Sequence, residues 1–426
     1  MSGKTIRHML LYALTAAALG FIFITSPWWS PMAERVHRKA ARTISPPEVS
    51  SPQPKIPPLP DRFYPKARMM TFPLKEGLDL RLHIISEEGE IASIERHNDA
   101  AYALDTRLTY RVPTPATTLE QLEARGTPLS TYWPNLSVLL ETAQVSPSFH
   151  SLYERKIKFL EMRLDYIREL PHRHNMYDCD SILELTTENS QQQALLIQAD
   201  MDIVTDGSDS DRTLEVDTSS PTFQPFTSYN WAKRGTIPNP LIGTYQAEAN
   251  QLREKLKGIN LSQNDQYIAN RRLSFLKKSI EALKYRSSLV ASLDPFIVVP
   301  VFMVKTKSSH QPSVGDYCLI FYRDLVLPGI VGDTGPNSKI GEASLKIAQK
   351  IDPAVQPSAS SRPVSSLGVT YLIFINSAEK TMEPPDLKKW HDKCSELFAD
   401  IGGKPEHIRS WIKPALKASN PALDSP

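Results

Sequence analysis

Short runs of β-branched and aromatic residues, each cut off by turn formers, fill the last third of the chain and constrain its fold more than any other feature. They are Phe296-Ile-Val-Val-Pro-Val-Phe-Met-Val, Tyr317-Cys-Leu-Ile-Phe-Tyr, Leu325-Val-Leu-Pro-Gly-Ile-Val and Val369-Thr-Tyr-Leu-Ile-Phe-Ile. Such runs suit strands buried on both faces and predict a mixed, mainly β core. Leu195 to Asp202 reads as a further strand entering an aspartate-rich loop. Steps of three and four at Leu273, Leu276, Ile280 and Leu283 predict a long helical stretch over 244–289. Gly258 and Asn260 mark its bend into a hairpin. A helix is expected after Gly341, with Glu342 in its first turn and Leu345, Ile347, Ala348 and Ile351 facing the core. The fold class is α+β, with the helical hairpin inserted into the β core.

The chain opens differently. After Lys4 and Arg7, the run from Met9 to Ser26 carries no charge over 18 residues, which is short for a bilayer span and long for the apolar region of a signal peptide. No clean Ala-x-Ala cleavage site follows, so residues 1–30 read as a signal anchor in preference to a cleaved signal. The expectation is an extracytoplasmic protein, tethered to a membrane or secreted. Residues 31–66 are basic and then proline-rich, an extended spacer without a core. Alternation in Leu78-Asp-Leu-Arg-Leu-His-Ile-Ile opens a β-rich region over 67–175, which includes an amphipathic helix at 151–170. A catalytic domain is expected over 176–412, and the polar tail from Lys413 reads as disordered.

Charge excludes some functions. Residues 1–66 hold nine Lys/Arg against three Asp/Glu while the whole chain is +2, so the remainder is mildly acidic. A nucleic-acid binder needs a concentrated basic face, and the mildly acidic balance of the body argues against one. There is no Gly-x-Ser-x-Gly elbow and no Gly-Lys-Ser/Thr phosphate loop, which disfavours serine hydrolases and nucleotide-dependent enzymes. Three scattered cysteines, Cys179, Cys318 and Cys394, fit neither a zinc motif nor a disulfide scaffold; buried thiols and one bridge both remain open. Pro171-His-Arg-His reads as a solvated loop, because His172 and His174 lack the spacing of a helical ligand pair. The acidic stretch lacks the terminal Glu of an EF-hand, and neither metal nor cofactor is expected.

The densest chemical segment is Gly329-Ile-Val-Gly-Asp-Thr-Gly-Pro-Asn-Ser-Lys-Ile-Gly-Glu-Ala-Ser344. It brings Asp333 at a strand end and Glu342 after a Gly/Pro/Asn loop toward one cleft. Glycosidic hydrolysis needs such a pair, one carboxyl protonated and one ionised, and proximity pushes two acids toward different protonation states. Asp333 as a turn residue and Glu342 as a helix-start residue is the competing reading, and spacing alone leaves both open.

The run Val331-Gly-Asp-Thr-Gly-Pro-Asn-Ser-Lys-Ile-Gly-Glu-Ala-Ser resembles the signature of glycoside hydrolase family 75, the fungal-type chitosanases. Five further pieces resemble that family in order: Asp200-Met-Asp-Ile-Val-Thr-Asp-Gly, Thr227-Ser-Tyr, Leu293-Asp-Pro-Phe-Ile-Val-Val-Pro, Val314-Gly-Asp-Tyr and Gly368-Val-Thr-Tyr-Leu-Ile-Phe. The resemblance implies inverting endo-hydrolysis of β-1,4-linked glucosamine polymers, with Asp333 as base and Glu342 as acid. It also suggests a barrel similar to the double-psi plan. Asp200, Asp202 and Asp206 then become candidates to attract a polycationic chitosan-like chain, and Thr227 and Tyr229 candidates for sugar contact, although a tyrosine beside a strand is more often core. The helical segment over 244–289 separates two motifs expected to lie closer in that family, and the region before Gln192 has no counterpart in the pattern. They leave two rivals, a hydrolase of peptidoglycan or an N-acetylglucosamine polymer, and a non-catalytic glycan-binding envelope protein.

Overall fold

A computed structural model of the chain describes residues 68–75, 78–84, 92–98, 108–164, 170, 172–187, 192–220, 222–258, 261–357 and 361–412. The N-terminal apolar run, the proline-rich stalk and the tail after 412 lie outside them. Among the described residues no helix is long and apolar enough to cross a membrane.

The chain divides into two units, residues 1–111 with 160–173, and residues 112–159 with 174–426. Residues 112–159, which the sequence pattern groups with the N-terminal region, therefore pack in the second unit. In the first unit, β1 (Arg68–Lys75) and β2 (Leu78–Ile84) form an antiparallel hairpin, Arg68 facing Ile84. The alternation at Leu78 marks the second of these strands.

The second unit contributes β3 (Gln144–Val145), β4 (Cys179–Thr186), β5 (Gln193–Val204), β6 (Asn230–Ala232), β7 (Arg286–Ser288), β8 (Phe296–Pro300), β9 (Tyr317–Tyr322), β10 (Leu325–Gly335), β11 (Glu342–Ser344) and β12 (Val364–Phe374). Its helices include α1 (Pro147–Arg163, of which it holds the part up to Phe159), α2 (Leu241–Lys257), α3 (Gln263–Leu283), α4 (Leu345–Ile351) and α5 (Leu387–Asp400).

The large sheet runs β11-β8-β10-β9-β12-β5-β4-β3, and β11 also pairs with β5. That extra pairing closes a six-stranded barrel, β5-β12-β9-β10-β8-β11, with β4 and β3 continuing outward from β5. Closure removes the free edges that an open sheet would expose. Two pairings are parallel, β10 with β8 and β11 with β5. The apolar runs of the sequence form these strands because they are enclosed: Phe296 to Pro300 and Tyr317 to Phe321 are buried throughout. Cys179, Cys318 and Cys394 are free thiols in this core.

The expected hairpin exists as α2 and α3. Its seam joins Leu241, Tyr245 and Ala249 to Leu273, Leu276 and Leu283, packed against Val216, Phe223 and Phe226 of the preceding loop. A fully buried leucine such as Leu276 contributes about 1.5–3 kcal/mol. Ser262 caps α3 by accepting from the Asp265 amide at 3.1 Å. The helix ends at Leu283, not 289, because Arg286–Ser288 pairs with Asn230–Ala232 instead, a registration that a helical pattern cannot reveal.

Glycine geometry ties the hairpin region to the barrel. Gly207 has φ +96°, and a Cβ there would lie 1.6 Å from the Leu289 carbonyl oxygen; Gly126 has φ +93° with open space around it. The backbone strain is thus shared and the collision is not. Gly126→Ala should cost about 1 kcal/mol, and Gly207→Ala more than about 3 kcal/mol, when unfolding is followed in denaturant. Equal losses would show that the close approach at Leu289 carries no weight.

Candidate active site

Strand register assembles the site. Val298 on β8 is the register partner of both Asp333 on β10 and Glu342 on β11, and Glu342 also faces Asp202 on β5. The two acids therefore flank one residue, two interstrand steps of about 4.8 Å apart at the backbone, and register partners project to one face. A register shift between Val331 and Asp333 marks the point where β10 carries Asp333 in, as bulges beside active sites do.

Glu342 does not open a helix. It begins β11, and α4 starts only at Leu345 with Ser344 as N-cap. The three residues of β11 bond to β5 on one side and β8 on the other, which demands extended backbone. Gly341 makes the turn into the strand at φ +83°, where a Cβ would collide with the Asp200 carbonyl at 2.6 Å. The glycine of the Asp-Thr-Gly-Pro run has its own reason: a Cβ on Gly335 would lie 2.8 Å from Glu342 Oε2. The missing side chain leaves room for that carboxyl.

Asp333 is 3 % exposed. Its Oδ1 accepts from the Ser228 amide at 2.9 Å, the Ser228 hydroxyl at 2.6 Å and the Thr334 amide at 2.7 Å. Burial pushes the carboxyl up to about 6; the three donors oppose that rise, and the Glu342 charge adds to it. The sequence does not single out Ser228, yet it is the residue of Thr227-Ser-Tyr229 that reaches the acid. Thr227 is buried and donates to the Tyr229 carbonyl at 2.9 Å. Tyr229 is core, in edge contact with Trp231 and Trp390, and its hydroxyl accepts from the Glu383 amide at 3.2 Å.

The acidic stretch is not a solvated loop at its start. Asp200 and Asp202 lie within β5 and are buried. His174 Nε2 sits 2.7 Å from Asp200 Oδ2 and 3.3 Å from Asp202 Oδ1, so His174, in the helical turn Arg173–Met176, is ion-paired and not part of the expected solvated loop. Lys339 Nζ bridges Asp202 Oδ2 at 2.7 Å and Glu342 Oε1 at 2.8 Å. Burial alone would raise Asp202, but His174 and Lys339 hold it down to about 2. Asp200 rises to about 7, chiefly through burial. Burial opposes the charge on His174, yet the two aspartates lift it to about 9. With these partners Asp200 and Asp202 are already neutralised and do not line an open acidic groove. Asp206 lies nearer the acids: its Oδ1 accepts from the Gln224 amide at 2.8 Å, and burial together with the charges of Asp333 and Glu342 raises it well above the carboxylate range.

Other acids of the recurring motifs are braces. Asp294 takes both nitrogens of Arg212 at 2.7 Å, and Asp316 accepts from the Ser377, Ala378 and Ser313 amides. Among the described residues no group of three or more His, Cys, Asp or Glu is arranged to hold a metal ion.

The site can hold one carboxyl near neutral protonation balance beside another that contacts a fixed ammonium. That suits acid–base work on a bond placed between them. The model of a family described as fungal chitosanase of glycosyl hydrolase group 75 matches residues 201–404, from within β5 to just beyond α5. A search of curated proteins finds no match to the chain. The matched stretch contains Asp333, Glu342, Ser228 and Lys339, and residues 201–404 are accordingly a chitosanase-like glycoside hydrolase domain of group 75.

Proposed function

We propose that the protein is an inverting endo-hydrolase of β-1,4-linked glucosamine polymers, with Asp333 as base and Glu342 as acid. The observation that carries this reading is the shared register at Val298, which sets both acids on one face of the barrel wall. Glu342 gives its proton to the glycosidic oxygen as the bond from that oxygen to the anomeric carbon breaks. Asp333 takes a proton from water, whose oxygen attacks the same carbon from the opposite face, inverting it. Three donors on Asp333 Oδ1 favour its ionised form and leave Oδ2 to face the water. The two parallel pairings in a closed six-stranded barrel support likeness to the double-psi plan. The uncharged run from Met9 to Ser26 supports export, with the protein anchored or secreted.

A glucosamine polymer is cationic below the pKa of its amines, and the ionised Asp333 of the proposed mechanism attracts it. Thr227 and Tyr229, enclosed as they are, support the sugar site by holding Ser228 in place.

The protein should release new reducing ends from soluble chitosan. Asp333→Asn and Glu342→Gln should each lower kcat by about 10²–10⁴-fold with melting temperature little changed. A wild type that binds chitosan without cleaving it would replace this reading with the glycan-binding one. Because the base works ionised and Asp333 lies near 6, kcat/KM should fall as pH drops through about 6. Ser228→Ala removes a donor to the charged form, so this acidic limb should move up by about one pH unit. A limb that stays put in Ser228→Ala would remove Asp333 from the role of base.

A further inference from the structure

The loop between the two acids, residues 336–341, is held by side chains that lie before the family-matched stretch. Lys156 of α1 donates to the Ser338 carbonyl at 2.7 Å and to Asp178 Oδ2 at 2.8 Å. Asp178 accepts in turn from the Ile340 amide at 3.2 Å. Both side chains are almost wholly buried. His174 lies in the same segment and binds Asp200 and Asp202, the latter of which binds Lys339. From the matched stretch itself, Asn337 accepts from the Phe302 amide at 2.8 Å, and the Asp202 amide donates to the Gly341 carbonyl at 2.8 Å. The loop is therefore fixed at Asn337, Ser338, Ile340 and Gly341. Lys339, between them, can change direction only so far as its two carboxylate partners allow.

This arrangement is a chain of alternating charge: His174, Asp202, Lys339, Glu342, with successive contacts of 3.3, 2.7 and 2.8 Å. The other groups that face it are Asp200 on β5, Asp178 before β4, Lys156 on α1, Asp333 on β10, Asp206 after β5, and Arg362 ahead of β12, whose Nε is 3.9 Å from Asp202 Oδ1. Lys339 has two anions to serve. The more fully His174 and Arg362 satisfy Asp202, the more of the ammonium is left to Glu342.

We propose that Lys339 and His174 are positioning residues for Glu342: Lys339 orients its carboxyl, and His174, acting through Asp202, sets how firmly Lys339 does so. The proposal rests on the reading of Glu342 as proton donor. It makes the segment carrying His174 part of the active centre, although that segment precedes the family-matched residues. The high protonation range of His174 and the low one of Asp202 agree with a persistent ion pair at neutral pH.

The test is steady-state hydrolysis of chitosan by the full chain, with kcat, KM and melting temperature measured together. Lys339→Met should lower kcat by about tenfold with KM and melting temperature little changed. Lys339→Arg, which keeps the charge, should recover most of the wild-type kcat. His174→Gln should lower kcat by less, and should add nothing in the Lys339→Met background. A kcat unmoved by Lys339→Met, or a His174→Gln loss of equal size in both backgrounds, overturns the proposal. Should Lys339→Met fail to fold, His174→Gln compared with wild type and Lys339→Arg still decides between the outcomes, since an unmoved kcat there denies the coupling. A wild type that does not hydrolyse chitosan sinks the hydrolase reading, whereas an active wild type indifferent to Lys339→Met sinks the positioning role alone, so the two failures are told apart.

Discussion

Everything at the site depends on a three-residue strand. Glu342–Ser344 bonds to β5 on one side and β8 on the other, and without it the barrel would be an open sheet with two exposed edges. The same pairings that close the barrel fix the backbone of Glu342 against Val298, which already faces Asp333. Stability and site geometry thus share one set of hydrogen bonds. This explains why the connection from Asp333 to Glu342 is so heavily constrained: Gly335 yields space to a carboxyl, Gly341 turns past the Asp200 carbonyl, and Asn337 and Ser338 are pinned from two directions.

β5 is the second organiser. Along one edge it pairs with β4 as far as Ala199, then with β11 from Asp202. At the change of partner the strand would leave polar groups exposed to the core. Asp200 and Asp202 occupy that point, and His174, Lys339 and Arg362 meet them with positive charge. Buried charges are tolerated only when paired, since an isolated carboxylate in low dielectric costs several kcal/mol or changes protonation state. The acidic stretch is therefore first a feature of the fold, and only Asp206 at its end stands beside the acids.

The inserted helices take part in the same support. Their seam packs on Val216, Phe223 and Phe226, in the loop whose Gln224 amide binds Asp206 and whose continuation presents Ser228 to Asp333. The hairpin thus props the wall that carries Asp333.

The strands and the hairpin were legible in the amino-acid order alone, because their signals are local. Apolar runs of strand length, a repeat of three and four, and an Asp-x-Gly-Pro loop with a Lys-Ile-Gly-Glu segment each depend on neighbours in the chain. The same local signals misassign Glu342 to a helix, because a short strand and a helix start look alike when the deciding hydrogen bonds come from residues 202 and 298. They do not reveal Ser228, Lys339 or His174 as partners of the acids, nor that Asp200, Asp202, Thr227 and Tyr229 are enclosed. Those outcomes follow from barrel closure, which brings residue 174 to 202 and 228 to 333, and no periodicity or composition encodes which distant charge will meet another in the folded interior.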